Sequence, residues 1–163
     1  NCRGGVCTGV GGRKRRGAPA VGGPAGAEPA SVEDLLGQSD FVSIHTPLTA
    51  QTRGMIDGAR LALMKPTAII VNTARGGIVD EPELADALRT GRLGYAALDV
   101  FETEPLAADS PLRELDTVIL SDHHAYYTEE SVVELKTKVA ERVRTALEGG
   151  VPEAAINDPR RPA

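Results

Sequence analysis

Four short, unbroken apolar runs restrict this chain's fold more than any other feature: FVSIH (41–45), AIIVNT (68–73), YAALDVF (95–101) and TVILS (117–121). An alternating run marks a strand with one wet face. A continuous run marks a strand buried on both faces, the usual condition of a parallel sheet lying between helices. Helical segments fall between these runs. SVEDLLGQ (31–38) opens on Ser31 with Asp34 three residues on, an approximate capping box. GARLALM (58–64) follows Asp57 as a cap and stops ahead of Pro66. Asp80 and Glu83 cap PELADALRT, and Gly91 ends it. Thr128 caps ESVVELKTKVAERVRTALE, which Gly149 and Gly150 terminate. Its apolar stripe is Val132, Leu135, Val139, Val143 and Leu147, at helical spacing. Strands alternating with helices predict an α/β, doubly wound parallel sheet.

In such sheets, ligands lie beyond the carboxyl ends of the strands. The residues just after each run are therefore the candidates. They are His45-Thr46-Pro47, then Thr73-Ala74-Arg75-Gly76-Gly77, then Glu102-Thr103-Glu104-Pro105, and finally His123-His124.

Charge narrows the partners. Residues 1–30 hold five basic groups and one acid, whereas the rest carries 13 basic and 22 acidic groups. An acidic body argues against nucleic acid as the main partner. The basic run at Arg13, Lys14, Arg15 and Arg16 reads either as a targeting or nucleic-acid patch or as a solvated stretch in a glycine-rich setting. No apolar run approaches the roughly 20 residues of a membrane span, and a cytoplasmic protein without a membrane partner is expected. Cys2 and Cys7 have no neighbouring His or Asp and read as incidental thiols rather than metal ligands, so no metal site is expected.

Four segments then become specific together. VNTARGGIVDEPELADAL, SDFVSIHTPLTAQTRGMI, ALDVFETEP and LSDHHAYYTEES resemble, in order and spacing, the D-isomer-specific 2-hydroxyacid dehydrogenases over about 120 residues. The AYYTEES ending is similar to the branch related to phosphoglycerate dehydrogenases and C-terminal-binding proteins. The resemblance implies NAD as cofactor, with NADP left open. It also implies a small 2-hydroxy or 2-keto acid as substrate.

The implied chemistry assigns roles. Arg75 would hold the substrate's carboxylate and carbonyl oxygen, which a planar guanidinium does better than an ammonium. His123 would give or take the hydroxyl proton, since an imidazole titrates at about 6.5, near working pH. Glu104 would hydrogen-bond that imidazole. By residue type alone, Arg75 also reads as a surface arginine, and Glu102 competes with Glu104 as His124 does with His123. The resemblance makes those choices. It also places Asp99 against the nicotinamide carboxamide and Thr73 and Ala74 around the nicotinamide and its ribose, with Arg75 and His123 lining the same cofactor site. His45, Thr46 and Pro47 fall beside the adenosine, although His45 serves equally as a structural residue at a strand end. Two positions depart from the family's habit, which is Pro where this chain has Asp122 and a small residue where it has His124.

The resemblance begins at GAEPA (26–30) and fails upstream. A dinucleotide site opens with a strand, a G-x-G-x-x-G turn and a helix. The nearest candidate, Gly9-Val10-Gly11-Gly12, puts Lys14 at the third glycine position. The expected organisation is thus a disordered Gly/Arg/Pro-rich segment (1–28), a partial Rossmann-like NAD-binding domain (29–150) lacking its first β-α-β unit, and a tail (151–163). A fragment of this kind, from a truncated gene or a shifted frame, is expected to expose a sheet edge and face and to pair as a homodimer. The rival function is a non-catalytic binding or assembly module.

Overall fold

The structure, a computed structural model, describes residues 30–152 and 155. Expectations for residues 1–28, among them Cys2, Cys7, the basic run and Gly9–Gly12, lie outside the described residues, as does most of the 151–163 tail. The chain divides into two compact units, Asn1–Ala125 and Tyr126–Ala163.

The first unit is built on a four-stranded sheet. Its strands are β1 (Phe41–Ile44), β2 (Ile69–Asn72), β3 (Tyr95–Leu98) and β4 (Val118–Leu120), in the order β1-β2-β3-β4. Every pairing is parallel. Three helices connect or precede the strands: α1 (Val32–Gln38), α2 (Gly58–Leu61) and α3 (Glu81–Arg89). A 3-10 turn at Pro111–Glu114 leads into β4. The caps read from the sequence are made. Ser31 Oγ accepts from Asp34 N at 3.0 Å, Asp57 Oδ1 from Arg60 N at 2.9 Å, and Asp80 Oδ1 from Glu83 N at 3.0 Å. Each satisfies an amide that a helix start leaves unpaired. Arg60 then ties α2 to α1, donating to Glu33 Oε1 at 2.7 and 2.9 Å.

Residues Val42, Ile44, Ile70, Ala96 and Leu98 form one core with Leu35, Leu36, Leu61, Leu84 and Leu88. Full burial of such a side chain contributes about 1.5–3 kcal/mol. The opposite face is the exposed one, where strands of this composition are usually covered on both sides. Phe41 is 69% exposed, Tyr95 54% and Ile119 74%. Phe41, Ile69 and Tyr95 share one register row, and Ser43, Val71, Ala97 and Ile119 the next. The runs have the composition of two-sided strands, but the core helices of this unit pack on one side, leaving the bare face expected of a partial domain.

The second unit carries α4 (Glu129–Leu147). Thr128 Oγ1 accepts from Ser131 N at 3.1 Å, and Ser131 Oγ accepts from Thr128 N at 2.9 Å, a reciprocal cap. None of its residues is buried, and Leu135, Val139, Val143 and Leu147 are exposed. Periodicity decides which residues share a helix face, not what covers that face. No described helix is long and apolar enough to cross a membrane.

Candidate active site

Because β1–β4 are parallel, their carboxyl ends form one rim. After β2, the buried Asn72 shapes the turn. Its Nδ2 donates to the Arg75 carbonyl at 2.9 Å, and its Oδ1 accepts from Ala74 N at 3.1 Å. An Asx turn of this kind replaces backbone pairing at a strand end. Thr73 and Arg75 are thereby presented to solvent. The Arg75 guanidinium donates to the Ala74 carbonyl at 2.6 Å. The following residues are laced to the segment before α2, with Gly54 N donating to Gly77 O at 2.8 Å and Ile56 N to Ile78 O at 3.0 Å.

Gly76 brings two loops of the rim together. A Cβ there would fall 1.8 Å from Phe101 O and 2.5 Å from Glu102 N. Only glycine permits that approach, so the arginine turn lies directly against the backbone of the loop after β3. In that loop, Glu104 Oε1 accepts from Phe101 N at 3.1 Å, and Glu104 Oε2 lies 2.8 Å from His123 Nδ1. The hydrogen bond to His123, reinforced by the Phe101 N–H, holds the Glu104 carboxyl below its ordinary pKa. An ionised carboxylate only accepts, so Nδ1 carries the hydrogen and Nε2 is the nitrogen left to exchange protons. Glu102, the competing acid, is exposed and pairs instead with Arg53 at 3.4 Å.

His123 has a left-handed backbone, φ 53°. Asp99, at the end of β3, supports it. The Asp99 carbonyl accepts from His123 N at 2.8 Å. Its carboxylate accepts from Ser121 Oγ at 2.7 Å, His124 N at 2.8 Å and Ala125 N at 2.9 Å. Burial pushes the Asp99 pKa up, but these three donors and the nearby His123 outweigh it and leave the carboxyl below its ordinary value. Asp99 is only 3% exposed, so its first contacts are with the histidine turn. Beside this turn lies a cavity of about 310 Å³ lined by Phe101, Pro105, Leu106, Arg113, Leu120 and Asp122 among others.

The adenosine-side candidates share the rim but not these contacts. His45 Nε2 and Ser43 Oγ are hydrogen-bonded at 2.7 Å, Thr46 is buried, and the Pro47 carbonyl accepts from Thr52 Oγ1 at 2.7 Å. Sequence reasoning passed over Asn72 and Ser121. Asn72 carried a signal, an amide side chain at a strand end before a glycine pair; Ser121 carried none. Among the described residues, no group of three or more His, Cys, Asp or Glu is arranged to hold a metal.

Residues 13–125 match the family described as D-isomer specific 2-hydroxyacid dehydrogenase, NAD binding domain. The match begins upstream of residue 26, where the resemblance was expected to start. The chain is 49% identical to D-3-phosphoglycerate dehydrogenase of Mycobacterium leprae over 86% of its own length and 26% of that protein's. It is 48% identical to glyoxylate reductase of Aeropyrum pernix, over 81% of this chain and 39% of that one. The TT0316 protein of Thermus thermophilus superposes with a TM-score of 0.79 at 36% identity, covering 83% of this chain and 43% of its own. D-lactate dehydrogenase with NAD+ from Lactobacillus jensenii gives 0.73 at 28%, over 79% and 43%. The chain thus spans less than half of each of these proteins. A further structural relative, an acyclic imino acid reductase, was solved with NADPH. The chain belongs to the D-isomer specific 2-hydroxyacid dehydrogenase family, through the nicotinamide-cofactor-binding domain of that family.

Proposed function

We propose that this chain provides the acid–base and substrate-anchoring side of a nicotinamide-dependent interconversion of a D-2-hydroxy acid and its 2-keto acid. The observation that carries this reading is the 2.8 Å pairing of His123 and Glu104, 19 residues apart in sequence, on the same rim as Arg75. The turn of Thr73, Ala74 and Arg75, exposed at Thr73 and Arg75, suits the nicotinamide end of a dinucleotide, since it offers a hydroxyl and backbone groups on the same rim as the histidine loop. When bound there, the nicotinamide supplies or accepts the hydride. The chain's own residues do the rest. Arg75 neutralises the substrate carboxylate and polarises its C2 carbonyl. In reduction, His123 Nε2 gives its proton to the carbonyl oxygen as C2 receives hydride. In oxidation, Nε2 takes the hydroxyl proton as hydride leaves C2. Glu104 holds the ring by Nδ1 and stabilises its charged form.

Glyoxylate is the proposed test substrate, because a relative is named for its reduction. NAD is the proposed cofactor and the cytoplasm, which holds the pool of reduced nicotinamide, the proposed compartment. Calorimetric titration with NADH and with NADPH, followed by turnover with glyoxylate, tests the reading. Saturable binding, and turnover reduced about 100-fold or more in His123→Ala, is expected. Absence of binding at millimolar concentration of either nucleotide refutes it.

The bare sheet face favours a second reading, self-association. Phe41, Tyr95 and Ile119 expose apolar surface on one face of one sheet, which suits a homodimer contact.

A further inference from the structure

One carboxylate behind the rim is used neither by the proposed chemistry nor by the core. Glu81 is the first residue of α3. Its Oε1 accepts from the backbone N–H of Glu102 at 2.5 Å. The preceding amide, Phe101 N, donates to Glu104 Oε1 at 3.1 Å. Two successive amides of one loop therefore point at two different carboxylates. The second of these, through its other oxygen, meets His123. The same Phe101–Glu102 peptide is pressed against Gly76. We propose that Glu81 is a positioning residue, which fixes the orientation of the Phe101–Glu102 peptide and thereby sets Glu104 on His123. The functional meaning of this role rests on the dehydrogenase reading, whereas the geometry does not.

The surroundings do not suit a carboxylate that serves only surface solvation. Burial raises the pKa of Glu81, and the neighbouring acids Glu102, Asp80 and Glu104 raise it further, against the lowering effect of the Glu102 N–H. A half-buried acid among like charges is unfavourable on its own. Its position is explained by the peptide it holds. Arg53, paired with Glu102 at 3.4 Å, is the nearby cation, but that pair is largely exposed and holds a side chain rather than the loop backbone.

Electrostatics and positioning predict opposite signs, which separates them in one experiment. The charged groups facing Glu104 are His123, Asp99 and Glu81, with Asp122 and His124 flanking the histidine. If Glu81 were only a charged neighbour, removing it would lower the Glu104 pKa. If it positions the loop, removing it frees Glu104 from Phe101 N and His123 and raises that pKa toward the ordinary glutamate value. The experiment is a carboxyl 13C NMR titration of Glu104 in the full chain, comparing wild type, Glu81→Ala, Glu81→Gln and Arg53→Ala. Glu81→Ala is expected to shift the Glu104 titration upward. Glu81→Gln keeps a carbonyl acceptor for Glu102 N and is expected to leave it at or below the wild-type position. Arg53→Ala is expected to leave it unmoved. Should Glu81→Ala fail to fold, Glu81→Ser, which cannot reach Glu102 N, is read the same way. A downward or absent shift in the folded alanine or serine variant overturns the proposal. The titration needs no cofactor and no turnover, so this outcome leaves the dehydrogenase reading standing, and failure of nucleotide binding leaves the positioning role standing.

Discussion

The backbone N–H of His123 donates to the carbonyl of Asp99 at 2.8 Å, so the histidine turn is folded onto the end of the neighbouring strand. The turn holds His123 at φ 53°, a conformation that costs a side-chain-bearing residue about 1–2 kcal/mol. Three further donors, from Ser121, His124 and Ala125, converge on the Asp99 carboxylate and keep the turn in that state.

Asp99→Asn replaces one accepting oxygen with a donor facing an N–H or a hydroxyl. A stability loss of about 1–3 kcal/mol is expected by urea denaturation. The pH dependence follows from the lowered carboxyl pKa. The native state binds fewer protons than the unfolded chain just below the ordinary aspartate range. The Asp99 contribution is therefore complete above that range and is lost as pH falls through the lower, folded value. Asp99→Asn should remove this acid-side decline.

Glycines at the rim separate close approach from backbone freedom. Gly76→Ala would drive a methyl into the Phe101 carbonyl, and backbone cannot swing aside as a side chain does. Loss of more than about 3 kcal/mol, or failure to fold, is expected. Gly54 has φ 61° but no atom within 4 Å of the added Cβ. Gly54→Ala should lose about 1 kcal/mol, from the left-handed backbone alone. Parallel urea melts of the two variants check the contrast.

Much of the fold was legible because its signals are local. Ser31, Asp57, Asp80 and Thr128 each cap the helix that follows, since a short polar side chain at that place can only serve the amides beside it. The rim was legible because parallel strands put their carboxyl ends together, and the residues after β2, β3 and β4 do meet there. The choice of Glu104 over Glu102 was not readable from residue type. It depends on a loop whose path is set by Gly76 and Asn72, contacts distant in sequence or hidden in a turn. The continuous runs read as strands fit for burial on both faces, and the exposure of Phe41, Tyr95 and Ile119 is the bare face expected of a half-sheet, because apolar composition records what a strand can bury, not which layers cover it.

Glu104→Gln tests the pairing with His123 against simple stability. The pair is about two-fifths exposed, at 40% and 37% for the two side chains. Such pairs contribute under about 1 kcal/mol, so the melt should barely move. Turnover, where measured, should fall by about 10-fold or more, since an amide cannot stabilise the charged ring. The small Glu104 contribution to stability is present above the ordinary glutamate range and disappears as pH falls below it, because the folded pKa is lowered.

Self-association through the bare sheet face is tested by Phe41→Ser with Ile119→Ser. Both side chains are exposed, so stability should hold within about 0.5 kcal/mol. Light scattering is expected to show a dimer for the wild type and a monomer for the double variant. An unchanged oligomeric state would move the contact elsewhere.

The central claim is that Arg75 and His123 act on one small acid. Its most direct measurement is an NMR titration of the chain with oxamate, an unreactive 2-keto acid analogue, in the presence of NADH, following the Arg75 Nε–H and the His123 imidazole resonances. Both are expected to shift along one binding curve with a single Kd. Shifts at only one of the two, or two curves with different Kd values, would contradict the account.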